Sequence, residues 1–197
     1  MSDQDNTAGV PKIGELYPFS GHDWRVLDVQ NGQILLISKD VTHVNIPYNK
    51  DFTPCAWNTC TLRNWLNSDF LASFSAQEQS RICLTAIENE ANPWFGKRVS
   101  LKTEDRIFLL STSEVVKYFG DSGKLKNRNE WWIDDQYNKE RVANYNGKPA
   151  WWWLRSFVNY SNVAAFVSAE GSIYHRGGSV CTADSSGGVR PALWLNL

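Results

Sequence analysis

The chain has 197 residues, of which 42% are hydrophobic and 21% charged, and its formal net charge is −1. This balance is typical of a folded globular domain, and the length is sufficient for one domain with its own hydrophobic core. The near-zero net charge excludes bulk electrostatic attraction to a nucleic acid or to an anionic membrane.

The amino-terminal segment predicts neither export through a signal peptide nor membrane insertion. It is polar and acidic, and it lacks the basic and apolar regions of a signal peptide. No apolar run approaches the ~20 residues that a membrane-spanning helix needs. We expect synthesis in the cytoplasm and leave the final location open, with the cell surface or a phage particle included. Residues 1–12 are expected to form a disordered leader, and residues 13–197 a single domain.

The cysteine pattern indicates free thiols rather than a disulfide scaffold. Cys55, Cys60, Cys83 and Cys181 are few and irregularly spaced. Cys55 and Cys60 could be considered zinc ligands together with His43, but their separation is wider than that of a zinc knuckle and no second pair exists. We therefore expect buried, unreactive thiols and no metal site.

Two apolar runs near the amino terminus predict a β-hairpin. Trp24–Val29 and Ile34–Ser38 flank the dipeptide Asn31-Gly32. Both residues of that dipeptide tolerate the positive φ that a tight hairpin turn requires. The two runs are therefore expected to pair as core strands.

Helical periodicity follows after residue 60. A helix is predicted over about Thr61–Leu71, with Thr59 or Thr61 as its cap. One face of this helix carries four apolar side chains, Leu62, Trp65, Leu66 and Phe70. We expect that face to lie on the core.

Two serine–glutamate pairs have the spacing of a capping box. Ser75 with Glu78, and Ser111 with Glu114, each predict the start of a helix. The second helix is preceded by the apolar run Arg106–Leu110, which predicts a short strand.

The remainder of the chain changes from polar to β-rich. Residues 120–150 are polar and predict irregular structure or a short helix, whereas residues 151–197 carry few charges and no helical pattern. Glu170-Gly171 and Arg176-Gly177-Gly178 supply turn residues. The predicted strands are Trp151–Arg155, Ala164–Val167, Ser172–Tyr174, Ser179–Thr182 and Val189–Leu195.

The run of three tryptophans at residues 151–153 has a predictable arrangement in a strand. Because side chains alternate between faces, Trp151 and Trp153 share one face and Trp152 takes the other. We expect these rings to lie in the core, as buried tryptophan usually does.

Several stretches, in this order and spacing, resemble a bacterial and phage domain family. They are Trp24–Leu27, Leu35–Asp40, Cys60–Asn67, Ile107–Ser111, Trp152–Ser156, Ala164–Val167, Gly171-Ser172 and Gly188–Leu195. The resemblance runs from about residue 13 to the carboxyl terminus. The family is similar to the formylglycine-generating-enzyme branch of the C-type lectin fold, and many of its members are variable proteins of diversity-generating retroelements.

This resemblance implies an α+β, C-type-lectin-like fold, with a small twisted antiparallel sheet, two or more flanking helices and long loops. It also implies a ligand-binding protein rather than an enzyme, whose residues 151–197 display a surface that a retroelement diversifies at template adenines. No cofactor is expected. The partner is expected to be macromolecular and a protein, neither nucleic acid nor membrane insertion is expected, and the oligomeric state is left open.

The candidate contact residues are the polar and aromatic side chains between residues 157 and 186. Asn, Tyr, Ser, Asp and His codons are related through changes at the adenines of one Asn codon, and Tyr, Ser, Asn and Arg are common in binding loops. A plain β-rich domain with polar turns has much the same composition. The candidates are Phe157, Asn159, Tyr160, Ser161, Asn162, Phe166, Ser168, Tyr174, His175, Arg176, Ser179, Cys181, Ala183 and Asp184.

If these candidates form a displayed binding surface, their side chains must lie together on one exposed face. We expect one solvent-facing patch formed by Phe157, Tyr160, Tyr174, His175 and Arg176. His175 would then lie in a displayed turn. Phe166 is expected to contribute as scaffold whose edge reaches the surface.

Two alternatives stay open, a formylglycine-generating-type copper oxidase and an undiversified structural domain. Such oxidases bind copper through a pair of reactive cysteines, and the stretch Arg176–Ser179 is similar to a glycine-rich motif of that group. Here only Cys181 lies in the carboxyl-terminal segment, so the second thiolate would have to come from a cysteine far upstream.

Calcium and hydrolytic sites have little support. Glu170 and Asp184 are the only carboxylates between residues 151 and 197, too few for a calcium cage. The three histidines have no Ser or Cys partner at a recognisable spacing, so no catalytic triad is expected.

Overall fold

The computed structural model of the chain describes residues 9–89, 92, 94, 101–127, 131–157 and 162–197. Residues 1–8 of the predicted leader lie outside this range, and residues 9–12 have no regular secondary structure. None of the helices in the described ranges has the length and apolar character needed to cross a membrane.

Short helices lie between groups of strands. The strands are β1 (Leu16–Phe19), β2 (His22–Gln30), β3 (Gln33–Ser38), β4 (His43–Val44), β5 (Thr85–Asn89), β6 (Leu101–Asp105), β7 (Trp132–Ile133), β8 (Ala143–Tyr145), β9 (Lys148–Phe157), β10 (Val163–Val167), β11 (Ile173–Ser179), β12 (Gly187–Val189) and β13 (Ala192–Asn196). The helices are α1 (Thr61–Trp65), which continues as a π-helical turn over Leu66–Phe70, α2 (Ala76–Arg81), α3 (Thr112–Phe119) and α4 (Asn138–Arg141), with a 3₁₀ turn at Lys124–Lys126.

Strands take up 39% of the described residues and helices 19%, so the fold is mostly β. The predicted α+β, C-type-lectin-like fold class is therefore wrong. The longest α-helix within the described ranges has eight residues, whereas the largest sheet has seven strands. The physical reason is that residues 143–157 and 163–179 contain four strands, β8 to β11, and that β11 continues through a glycine pair that suggested a turn. The α-helices, in contrast, have only four to eight residues each, although α1 continues as a π-helical turn.

The first sheet is antiparallel, in the order β1-β2-β3-β13. The predicted hairpin is confirmed, since Asn31 and Gly32 have φ of 52° and 72° and Gln30 pairs with Gln33. The buried face of this hairpin contributes Trp24, Val26, Ile34 and Leu36 to the core. Residues 189–195 do not form one strand as predicted, because Arg190 and Pro191 separate β12 from β13 and send the chain from one sheet to the other.

The second sheet has the order β4-β12-β9-β10-β11-β7, with β8 paired to β9. The pairing of β12 with β9 is parallel and all other pairs are antiparallel. Gly187 makes the parallel pairing possible, because a Cβ at that position would lie 2.2 Å from the Trp151 carbonyl oxygen. A separate two-stranded sheet joins β5 and β6.

The helices confirm both capping boxes but not the first predicted cap. The Ser75 and Ser111 side chains accept from the backbone N–H of Glu78 and Glu114, and each glutamate accepts in return from the serine N–H. Helix α1 is capped by neither threonine. The Cys60 Sγ accepts from the Arg63 N–H at 3.4 Å. Leu62 and Leu66 are buried as predicted, and Trp65 is half-buried.

Two further strand predictions are wrong, and a third region contains strands that were not predicted. The run Arg106–Leu110 makes only an isolated bridge between Phe108 and Ala192, and the strand lies just before it, in β6. Residues 120–150, expected to be irregular or to form a short helix, do contain the short helix α4, and they also contain β7, β8 and the start of β9, which were not expected. β11 runs through the predicted turn at Arg176–Gly178 and ends where a strand over Ser179–Thr182 was expected. The last error arose because two adjacent glycines can form a bulge within a strand as well as a turn.

Candidate functional site

The central strands of the second sheet carry two rows of side chains on opposite faces. Cross-strand pairing places Trp152, Val167, Ile173 and Ile133 side by side, and all four are buried. The residues next to them along the strands form the opposite row. This aromatic row consists of Trp153, Phe166, Tyr174 and Trp132, on β9, β10, β11 and β7 respectively. The alternation predicted for the tryptophan run is confirmed, because Trp151 packs beside Trp153.

The rings of the aromatic row stack on one another. The Phe166 and Tyr174 rings lie 4.8 Å apart at an interplanar angle of 14°. The Trp132 ring lies 5.7 Å from Tyr174 at 25°. Both faces of the Tyr174 ring are therefore covered by neighbours. Trp151 and Trp153 instead meet Phe166 at 74° and 80°, so the row changes from parallel stacking to edge contacts at β9.

Exposure increases along the aromatic row from β9 to β7. Trp153 is only 1% exposed, because Tyr48 packs against it and its indole N–H donates to the Ile46 carbonyl. Phe166 and Tyr174 are half-buried. Trp132 is 44% exposed and its neighbour Trp131 54%, with the Arg176 guanidinium over the Trp131 ring. The row is thus anchored in the core at one end and open to solvent at the other.

A β-bulge on β11 shapes the middle of this face. Ala164 pairs with Gly178 and Phe166 pairs with Tyr174, so β11 has extra residues between these two pairs. Gly177 adopts φ +75° there, and a Cβ on it would lie 2.5 Å from the Ala164 carbonyl oxygen. The bulge leaves Gly178 beside Phe166 with no side chain of its own.

The loop before β12 is attached to Trp151. Asp184 Oδ1 accepts from the Trp151 indole N–H at 3.2 Å and from the N–H and hydroxyl of Ser186 at 2.8 and 2.6 Å. The hydrogen bonds from Ser186, and then that from Trp151, lower the pKa of Asp184 although partial burial opposes this. Asp184 is consequently a fixed, exposed anion beside the row.

His175 does not lie in a displayed turn, so that prediction is wrong. It lies on β11 with its side chain on the opposite face from Tyr174, fully buried and stacked on Trp94 at 4.3 Å. Neither ring nitrogen has a hydrogen-bond partner within the described part of the chain. Burial, with a smaller contribution from the Arg141 charge, lowers the pKa of His175 to about 4. Strand alternation places this residue inward, between two outward-facing neighbours.

Two more candidates are buried, and three cannot be located. Phe157 is 7% exposed at the end of β9, and Ser168 is 9% exposed because its hydroxyl accepts from the Ser172 N–H inside the β10–β11 turn. The expected single patch is therefore wrong for Phe157 and His175. Asn159, Tyr160 and Ser161 lie outside the described residues.

The other candidates lie at least partly at the surface. Arg176, Ala183 and Asp184 are exposed. Half-buried positions are held by Asn162, Phe166, Tyr174, Ser179 and Cys181. Of these, the structure brings Phe166, Tyr174 and Arg176 to one face. Three tryptophans lie with them, Trp131, Trp132 and Trp153, and none of the three was among the candidates.

Arg155 and Arg190, which lie in the stretches that carry the family resemblance, stabilise the fold and do not belong to the aromatic row. Arg155 forms a two-pronged ion pair with Glu114 and donates to the Leu109 carbonyl. Arg190 is 2% exposed and donates to the carbonyls of Ser38, Lys39 and Arg141. Trp194 is half-buried and, together with Arg155, lines a cavity of about 340 Å³.

Cys55, Cys60 and Cys83 have raised pKa values, chiefly because of burial. Burial, assisted by the nearby Cys181 thiol, raises the pKa of Cys55 to about 11. Burial raises the pKa of Cys60 to about 12. Such thiols are protonated at neutral pH, unlike the thiolates that bind soft metals. Within the described ranges, no three His, Cys, Asp or Glu side chains are grouped so as to hold a metal ion.

A family described as Domain of unknown function (DUF6273) matches residues 31–197, which include both large sheets apart from β1 and β2. No curated protein and no solved structure matches the chain significantly.

Proposed function

The chain belongs to the DUF6273 family, and we propose on this premise that it is a non-catalytic binding module that takes a protein partner on the exposed end of the aromatic row. The partner would contact Trp132, Tyr174 and Phe166, with Trp131 and Arg176 at the margin. Buried candidates such as His175 and Phe157 would belong to the scaffold beneath.

The observation that carries this proposal is the graded exposure of a single stacked row. Large apolar surfaces exposed on one face are a feature of interaction sites. Because each ring is held by its neighbours and by the sheet, little side-chain entropy is lost when a partner binds. Aromatic and arginine side chains are also the residues that contribute most to binding energy at protein interfaces.

The ring geometry favours a protein over a saccharide. A sugar stacks its C–H groups on the open face of an aromatic ring, but both faces of Tyr174 are occupied by Phe166 and Trp132. The ring edges that remain form an apolar, corrugated surface. Apolar side chains of a protein fit such a surface by shape and by desolvation.

Diversification by a retroelement remains part of the proposal, and it has a direct genetic test. The coding DNA would be accompanied by a reverse-transcriptase gene and by a near-copy of its 3′ segment that differs only at adenines. Differences at other bases, or the absence of any such copy, would leave an undiversified binding module.

The binding proposal can be tested by selecting displayed random dodecapeptides on the immobilised full chain. Enriched peptides should lose at least about tenfold in affinity for Trp132→Ala and for Tyr174→Ala, which is the usual effect of truncating a hot-spot residue. Leu84→Ala is the matched control, because Leu84 is 57% exposed and lies between α2 and β5, outside the second sheet.

Two results would contradict the proposal. One is a set of enriched peptides that bind the two aromatic variants as tightly as the wild-type chain. The other is an oligosaccharide array on which the wild-type chain binds sugars through Trp132 while no peptide depends on the face. In that case the ligand class would be carbohydrate.

A further inference from the structure

A small pocket opens beside the aromatic row. It is lined by Trp151, Trp153, Phe166, Gly178 and Thr182 and has a volume of about 170 Å³. Trp153 is buried beneath it, and Trp151 and Phe166 meet it at steep angles, so three aromatic rings enclose the space. Gly178 leaves the fourth side open because it has no side chain.

The size of this apolar pocket limits what can occupy it. Pockets for drug-sized ligands span about 300–1,000 Å³, which is larger than this one. An apolar cavity of about 150 Å³ accommodates a single benzene molecule. The pocket therefore fits one aromatic ring or one branched aliphatic side chain, and its ring walls provide no polar group to bind anything more hydrophilic.

A fixed negative charge lies next to the apolar pocket. Asp184 is held by the indole N–H of Trp151, which is itself a wall of the pocket. All three hydrogen bonds of the Asp184 carboxylate within the described residues use Oδ1, and none of them is to a cation. An exposed carboxylate that is already oriented attracts a cation at little entropic cost.

We propose that the apolar pocket takes a single bulky apolar side chain of the protein partner, of the size of leucine or phenylalanine. A lysine or arginine adjacent to that anchor in the partner pairs with Asp184. This inference rests on the proposed function and specifies the partner: an apolar anchor beside a basic residue.

Gly178 provides a way to close the pocket without disturbing the fold. A Cβ built on Gly178 would lie 3.4 Å from the nearest Phe166 carbon and 3.9 Å from Trp153, which are ordinary contacts, and its φ does not require glycine. Gly178→Ala should therefore fold normally and narrow the pocket. Gly178→Val should fill more of it, with a melting curve as the check on folding.

The experiment repeats the dodecapeptide selection in parallel on the wild-type chain, Gly178→Ala, Gly178→Val, Asp184→Asn and Glu170→Gln. Glu170→Gln is the charge control, because Glu170 is an exposed acid in the β10–β11 turn. The wild-type and control pools should be enriched in a leucine, methionine or phenylalanine next to a lysine or arginine.

The expected losses differ between the two kinds of variant. Synthetic peptides from the pool should bind Gly178→Val at least about tenfold more weakly, because an anchor that cannot enter the pocket no longer buries its apolar surface there. Replacing the anchor by alanine should cause a similar loss in the wild-type chain. Asp184→Asn should cause a loss of about threefold that diminishes at high salt, as for an exposed ion pair.

The outcomes separate this inference from the proposed function. Peptides that need Trp132 and Tyr174 but bind Gly178→Val as tightly as the wild-type chain would overturn the anchor and leave the binding face intact. Pools with an apolar anchor but no basic neighbour, and no sensitivity to Asp184→Asn, would overturn the ion pair. If no peptide depends on the aromatic row, both proposals fail together.

Discussion

Replacing His175 by phenylalanine should remove a pH dependence from the folding stability of the chain. The His175 ring is fully buried and stacked on Trp94, and its pKa is lowered from 6.5 to about 4. In the pH range between these two pKa values, His175 therefore binds a proton in the unfolded chain but not in the folded chain. Phenylalanine keeps a flat ring against Trp94 and cannot titrate.

The sign and size of the effect follow from linkage. The stabilisation of the neutral ring is fully present above pH 6.5 and is lost as the pH falls towards 4, because protonation then favours the unfolded chain. The two pKa values predict losses relative to neutral pH of about 1.4 kcal/mol at about pH 5.5 and about 2.6 kcal/mol at about pH 4.5, approaching about 3.4 kcal/mol at lower pH.

The measurement is urea denaturation of the wild-type chain and His175→Phe at about pH 7.5, 5.5 and 4.5. The free energy of unfolding of the variant should increase relative to that of the wild type by the amounts given. His22→Gln, which removes an exposed histidine, should follow the wild type closely. A difference between wild type and His175→Phe that stays constant with pH would refute the reasoning.

Two further substitutions test the scaffold. Arg190→Met removes the side chain that donates to three backbone carbonyls. It should lower the free energy of unfolding by at least about 3 kcal/mol, since each buried carbonyl left unpaired costs about 1–3 kcal/mol. Its control is the exposed Arg176→Met, which should change the free energy of unfolding by less than about 0.5 kcal/mol. Gly187→Ala would place its Cβ 2.2 Å from the Trp151 carbonyl oxygen and should lower stability by about 3 kcal/mol, whereas Gly178→Ala should be nearly neutral by the same melting assay. Equal effects within either pair would contradict the assignment of scaffold and surface.

Local patterns predicted local structure well. The Asn31-Gly32 hairpin and the two Ser–Glu capping boxes depend on residues a few positions apart, and each formed as expected. The Cys60 cap was missed because a thiol is a weaker acceptor than the neighbouring threonine hydroxyls. The fold class failed because strand length and sheet size depend on pairing between distant segments. No local signal places β12 parallel to β9, or joins β7 to β11.

The candidate site was predicted in part for the same reason. Phe166, Tyr174 and Arg176 were selected by residue type, and all three lie on the face now proposed. Trp132 was missed because a two-residue strand in a polar stretch has no periodicity to detect. His175 was misplaced because its residue type was given more weight than strand alternation, which would have placed it inward once Tyr174 was taken as outward.

The strand alternation on β11 also constrains how far this segment can be diversified. Tyr174, His175 and Arg176 are consecutive, but only the first and third face outward. Every histidine codon contains an adenine, so mutagenesis at adenines would change residue 175 together with its neighbours. Arginine at position 175 would bring a second charge near Arg141 in a buried site, and proline would remove a backbone donor from the strand.

We therefore expect opposite tolerances at adjacent positions. In a library randomised at residues 174–176 and sorted for folded, displayed protein, positions 174 and 176 should accept most residue types. Position 175 should retain mainly histidine and flat, uncharged rings, because the ring on Trp94 fills its space without a hydrogen bond from the described residues. If position 175 accepts charged residues as freely as position 176, this inward side chain does not constrain folding. The whole segment would then be open to diversification.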